Sequence, residues 1–316
     1  MSDDTWFGIN EAGESRDFET MKRMCLAAEE NRLDFFSIPD HFLDPGIGRG
    51  PPLECWTMLA GLAAVTKRIK LAPLVSCYGF REPTVLGRIA TTVDIISNGR
   101  LIFGIGAGWH EEEFKAYFGR FPPVPERMSG LEESVEICKG MFSNEEFHYN
   151  GNLYKYSGVL NLPQPVQKQI PIMIGGGGEK VTLKIAAKHA DISHFHPWCS
   201  MEVVKRKLQA LKDHCKSVGR DYSDVRKGIG FTLFLGRDKE EVQSKIRITA
   251  EASGGSGSRS MSVDMEMFKI GTPERIAEQL QNYVEMGFSF FSLTFAPYNT
   301  PEDMHLFGEE VVPMLS

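Results

Sequence analysis

The chain has 316 residues, 42% apolar and 24% charged, enough for two average domains or one α/β barrel with a substantial core. A net charge of −7 argues against nucleic acid as a partner, because phosphate backbones recruit basic patches. No apolar run reaches the roughly 18 residues of a membrane span, and the N-terminus MSDDTWFGIN carries no basic-then-apolar leader.

In chain order, short apolar runs alternate with helix-length amphipathic stretches. WFGIN (6–10) precedes a helix over 17–31 begun by Asp17, and FFSIP (35–39) precedes a helix across ECWTMLAGLAAVT. IKLAPLVS (69–76) precedes TVLGRIATTVDIIS, and LIFGIGAG (101–108) precedes HEEEFKAYF. IPIMIGG (170–176) leads into EKVTLKIAAKHA, DISHFH (191–196) into a helix near 201–218, and GIGFTLFLG (228–236) into one starting at Asp238. FSFFSLTFA (288–296) precedes a C-terminal helix from Pro301. Strands alternating with helices predict parallel pairing, and near-continuous apolar strands fit a sheet covered on both faces. Eight such units predict a (β/α)8 TIM barrel, a single domain over 1–316, with a doubly wound open sheet as the rival. Residues 120–168 read as an insertion between the fourth and fifth units, with a helix (126–142) and a hairpin, FHYNGNLYKY, turning at Asn150-Gly151. SGGSGSRS (253–260) reads as a mobile loop.

The six cysteines, Cys25, Cys55, Cys77, Cys138, Cys199 and Cys215, show no C-x-x-C pair or zinc spacing. They read as buried thiols in a reducing cytoplasm, the expected location.

Gly104, Gly106 and Gly108 alternate at the end of the fourth strand, but the run has Trp109 where a G-x-G-x-x-G fingerprint needs glycine, and no P-loop Lys follows. These glycines instead predict a backbone against which a flat ligand can lie, walled by Trp109. Glu111, Glu112 and Glu113 fall in the first helical turn and read as complements to the helix dipole. At 175–178, four glycines join a strand to a helix. Gly175, Gly176, Gly177 and Gly178 therefore make a candidate anion cradle of bare amides, with Lys180 or Thr182 nearby. Asp40 and His41 end the second strand, at the face where barrels place catalysis. His41 suits proton transfer and Asp40 a ligand donor. His194 and His196 alternate on one strand face, but there is no third ligand at metal spacing and no H-E-x-x-H, so no metal is expected. No G-x-S-x-G elbow occurs.

PDHF (39–42), APLVSCYGFREPTVLGRIATTVDIISNGRLIFGIGAGWHEEEF, IPIMIGGGGEKVTLKIAAKHAD and GTPERIAEQLQNYVEMG together resemble the bacterial luciferase-like oxidoreductases, most closely their coenzyme F420 branch. The resemblance spans most of the chain. It implies a barrel with a deazaflavin or FMN over its C-terminal mouth and a non-proline cis peptide in the third strand, matching Leu74-Val75, beside Ser76. It maps cofactor binding onto Asp40, His41, Leu74, Val75, Ser76, Gly106, Ala107, Gly108 and the glycines 175–178. His41, Trp109 and His110 are the expected catalytic residues, with Trp56 and Trp198 also lining the substrate side. In the family's sugar-phosphate dehydrogenases a glutamate follows the fourth-strand glycines, and Trp109 stands there in this chain. The implied activity is hydride transfer between F420 and a small-molecule substrate. The alternative is a monooxygenase using FMN reduced by a separate reductase, and a non-catalytic flavin carrier is the third reading. A homodimer is expected.

Overall fold

The computed structural model describes residues 5–11, 17–43, 52–195, 200–252 and 266–315. Its first half runs β1 (Trp6–Asn10), α1 (Phe18–Glu30), β2 (Phe35–Ile38), α2 (Cys55–Val65), β3 (Lys70–Pro73), β4 (Ser76–Cys77), α3 (Pro83–Ser97), β5 (Phe103–Gly106), α4 (Glu111–Phe118), α5 (Val124–Ser143), β6 (Glu146–Asn150) and β7 (Lys155–Leu160). The second half runs β8 (Ile172–Gly175), α6 (Thr182–His189), β9 (Ile192–Phe195), α7 (Met201–Val218), β10 (Arg226–Leu235), α8 (Lys239–Ala252), β11 (Phe268–Gly271), α9 (Pro273–Glu285), β12 (Phe288–Phe295) and α10 (Pro301–Leu306).

One parallel sheet takes the order β3-β2-β1-β12-β10-β9-β8-β5-β4, with β11 beside β10. Its two ends are successive pieces of the same third strand. β3 pairs with β2, and β4 pairs with β5. Leu71 bridges to Leu101 across the seam, so the ring closes as the eightfold alternation predicts. Between the two pieces lies the cis Leu74-Val75 bond, at the position the family resemblance implies.

Apolar alternation explains both cores. Phe35, Ala72, Leu74, Ile102, Met173, Ile192 and Phe290 fill the barrel's interior, where Phe35 and Phe290 stack with ring centroids 4.0 Å apart. The opposite faces of the strands pack against the helices in a larger continuous cluster. Helix starts follow the capping chemistry. Asp17 accepts from the Thr20 amide at α1, and Glu54 accepts from the Trp56 and Thr57 amides at α2. The five cysteines among the described residues are buried thiols. No described helix is long and apolar enough to cross a membrane.

Three features differ from expectation. Residues 124–143 are not part of an insert, because α5 packs between α3 and α6 as the barrel's fourth helix. What is added is the segment carrying α4 and the antiparallel β6–β7 hairpin. That hairpin turns through residues 151–154 rather than at a two-residue Asn150-Gly151 turn, since Asn150 pairs with Lys155. The reason is Glu133 on α5, whose carboxylate gathers the amides of Asn152, Leu153 and Tyr154 and winds the turn around itself. The third feature is β11, a short parallel strand beside β10. Residues 253–260 lie outside the described residues.

Candidate active site

The segments after β2, β4, β5 and β8 meet at the C-terminal end of the barrel. Asp40, directly beyond β2, is buried. It accepts from Ser76 Oγ at 2.6 Å and from both terminal nitrogens of Arg81 at 2.6 and 3.1 Å. Arg81 also grips Glu54, the cap of α2. Trp56 is buried too, and its Nε1 donates to Ser76 Oγ at 3.0 Å. The side chains of Asp40, Ser76 and Trp56 are therefore joined to one another and to Arg81 in one buried network. A buried carboxylate in this setting needs a fork of donors, and its job is to tie β2 to the β4 turn beneath the mouth.

His41 stands differently. Its Nδ1 lies 3.0 Å from Glu113 Oε2, and Glu113, in the first turn of α4, is fully buried. Glu113 Oε1 accepts the amides of Phe42 and Leu43. Burial alone opposes charge on Glu113, but the His41 bond and these two amides outweigh it and hold its carboxyl below the ordinary range. An ionised carboxylate only accepts, so Nδ1 of His41 carries the proton and Nε2 is the end left to exchange one. All three glutamates do fall in the first turn of α4, and Glu113 in addition turns inward to His41, which the dipole reading alone does not predict.

Trp109 is 60% exposed and stacks on His110 at 5.1 Å, while His41 meets it edge-on at 5.7 Å. His110 Nδ1 is buried without a hydrogen-bond partner among the described residues, 3.8 Å from Glu113 Oε2. Arg127, from α5, donates to the Gly108 carbonyl and fixes this loop.

Val75, after the cis bond, rests on Gly106 and Gly175. A Cβ on either would lie 2.7 Å from its side chain, so the bare backbone of β5 and β8 makes the seat for the third-strand bend. Ala107 and Gly108 continue the same rim, half-buried.

After β8, the Gly176 amide donates to the His194 carbonyl. The amides of Gly177 and Gly178 have no partner among the described residues. Lys207 of α7 brings its Nζ within 2.7 Å of where a Gly177 Cβ would stand, and Thr182 Oγ1 lies 2.8 Å from the corresponding point on Gly178. A cation over bare amides at the start of α6 is the chemistry of an anion cradle. Lys180 is exposed, and Lys207 is the lysine that lies beside the Gly177 backbone. His194 is buried and bonds Ser292 Oγ at 2.9 Å. His196 and Trp198 lie outside the described residues.

Sequence reasoning missed Glu113, Lys207, Arg81 and Arg127. For Glu113 a signal existed, since it precedes Phe114 on what becomes the inner face of α4. Lys207 sits in a Lys/Arg-rich run that reads as a solvated helix face.

A barrel with this mouth belongs to the luciferase-like monooxygenase family, whose model matches residues 6–289. The chain is 26% identical over 313 residues to an F420-dependent glucose-6-phosphate dehydrogenase of Amycolatopsis mediterranei, covering 92% of each chain. It is 22% identical over 327 residues to an FMNH2-dependent dimethylsulfone monooxygenase of Pseudomonas putida, covering 95% of this chain and 89% of that one. Among solved structures, an F420-dependent secondary alcohol dehydrogenase in complex with an F420-acetone adduct superposes with a TM-score of 0.85 at 17% identity, covering 99% of both.

Proposed function

We propose that this protein is an oxidoreductase that passes a hydride between coenzyme F420 and a small organic substrate at the barrel mouth. One observation carries the reading: the Gly177 backbone beside Lys207 and a histidine bonded through Nδ1 to a buried carboxylate share a single rim, three strand positions apart around the ring. F420 carries a phosphoryl group and a flat ring, and both find fitting residues. The bare amides at Gly177 and Gly178 with Lys207 would hold the phosphoryl group. Val75 and the backbone at Gly106–Gly108 would flank the ring. When bound, the deazaflavin supplies the hydride chemistry.

The chain's own residues bind, orient and handle protons. His41, oriented by Glu113, takes or gives a proton at Nε2. Trp109 and His110 cover the substrate side and limit water. Trp109 replaces the glutamate of the sugar-phosphate dehydrogenases and offers an indole face, so the substrate proposed is a moderately apolar molecule rather than a sugar phosphate. A homodimer in the cytoplasm is part of this proposal.

The second reading, an FMN-dependent monooxygenase served by a separate reductase, is supported by the Pseudomonas putida relative. Titrating the purified protein with F420 and FMN under matched conditions decides between them. Tighter binding of F420, with its absorbance changing as substrate is added, is the expected result. Binding of FMN alone would transfer the assignment to the monooxygenase. His41→Ala is expected to slow turnover by about 10²–10⁴-fold with cofactor affinity retained; unchanged turnover would remove His41 from proton transfer.

A further inference from the structure

We propose that His41, His110 and Glu113 form a site for one divalent transition-metal ion of the zinc class at the barrel mouth. The three offer two imidazole nitrogens and a carboxylate oxygen, all within 4.8 Å of one another. Ligands about 2.0–2.1 Å from an ion stand about 3.3 Å apart at a tetrahedral angle. The observed separations from Glu113 Oε2, 3.0 Å to His41 Nδ1 and 3.8 Å to His110 Nδ1, bracket that value.

Two features point to a ligand rather than a closed hydrogen-bond network. His110 Nδ1 is buried and has no partner among the described residues, and a buried polar atom left unpaired is costly. Glu113 is also pre-aimed. Its Oε1 is held by the amides of Phe42 and Leu43, which fixes the other oxygen toward the two histidines, as outer-shell bonds do at metal centres. Imidazole with a single carboxylate selects zinc, cobalt or nickel over magnesium or calcium, which prefer all-oxygen sets. With the ion on Nδ1, His41 takes its Nε2–H tautomer and loses the free lone pair that the hydride reaction needs. Zinc is therefore an inhibitor whose effect a chelator reverses. The site itself needs no flavin, so its test is independent of the cofactor assignment.

The test uses full-length protein, chelator-treated, dialysed and free of flavin, titrated with cobalt(II). One equivalent should give the intense visible absorption of four-coordinate cobalt, and zinc should abolish it. His110→Ala should weaken cobalt binding at least about tenfold. Glu113→Gln keeps an acceptor for the Phe42 and Leu43 amides and should weaken it likewise, so the proposal stays testable if either variant folds poorly. A wild type without the absorption would overturn it, as would a spectrum that survives both substitutions. So would loss of the spectrum in His189→Ala, because Glu132, Glu136 and His189 form the other such cluster among the described residues.

Discussion

Of the three glutamates that open α4, only Glu113 turns inward, and the helical period decides this. Phe114 must reach the core, and residue 113 shares its side of the first turn while 111 and 112 face water. A sequence shows three equivalent carboxylates; the fold makes one an anchor for His41. The positions of PDHF and the four glycines, after β2 and at the end of β8, were legible because strand ends and helix starts are local features. Lys207 was not, because a lysine on an amphipathic helix reads as solvated until the fold lays that helix beside a loop about thirty residues earlier. Lys207→Ala tests its role. Affinity for FMN or F420 should fall about tenfold, the worth of one charge-assisted contact of roughly 1.4 kcal/mol. Affinity for riboflavin, which has no phosphate, should stay unchanged. Equal loss for both, read by fluorescence titration, would mean that Lys207 shapes the loop and binds no anion.

At the level of elements, the run IKLAPLVS reads as one strand, and its division was legible only through the family resemblance. The division depends on how closely the neighbouring backbones approach. A Cβ on Gly104 would stand 2.0 Å from the Pro73 carbonyl oxygen and 2.8 Å from Met173. The first of these atoms is main chain and cannot rotate away. Gly104→Ala should therefore cost about 3 kcal/mol or more by overpacking, seen as a lower urea midpoint; a midpoint within error of wild type would show that the seam gives way easily. The entry to β3 depends on charge. Glu29, in the last turn of α1, accepts the amides of Lys67, Arg68 and Ile69. Burial opposes its ionisation, yet these amides prevail and lower its pKa from the ordinary 4.5. Because the folded value is the lower one, the stabilisation is complete above about pH 4.5 and disappears as pH falls through the folded pKa. The group is only half-buried and screened by solvent, so the effect is about 1 kcal/mol or less. Glu29→Gln should lower the melting temperature slightly at pH 7 and flatten its decline below pH 4.5. Parallel acid profiles for the two proteins would exclude this role.

For the molecule as a whole, the eightfold alternation announced a closed barrel because each crossover requires a helix between parallel strands. Local pattern could not reveal which of two consecutive helices, α4 or α5, completes the fourth unit, since that depends on packing against α3 and α6. The barrel also makes cofactor binding a global property. The proposed cradle follows β8 and touches α7, the bend lies in the third strand and His41 follows β2, so a ligand touching all three would hold the ring closed. A ligand that binds only the folded state stabilises it by about 2.7 kcal/mol at a hundredfold excess over its Kd. With an unfolding entropy of roughly 2.1 cal/mol/K per residue, that is a rise in Tm of about 4 °C for a chain of this length. F420 at such an excess should produce this rise in one cooperative transition, and Lys207→Ala at the same concentration should lose about 2 °C of it. A rise confined to one part of a split transition would mean that the ligand rests on a single element, and the shared rim would not be its site.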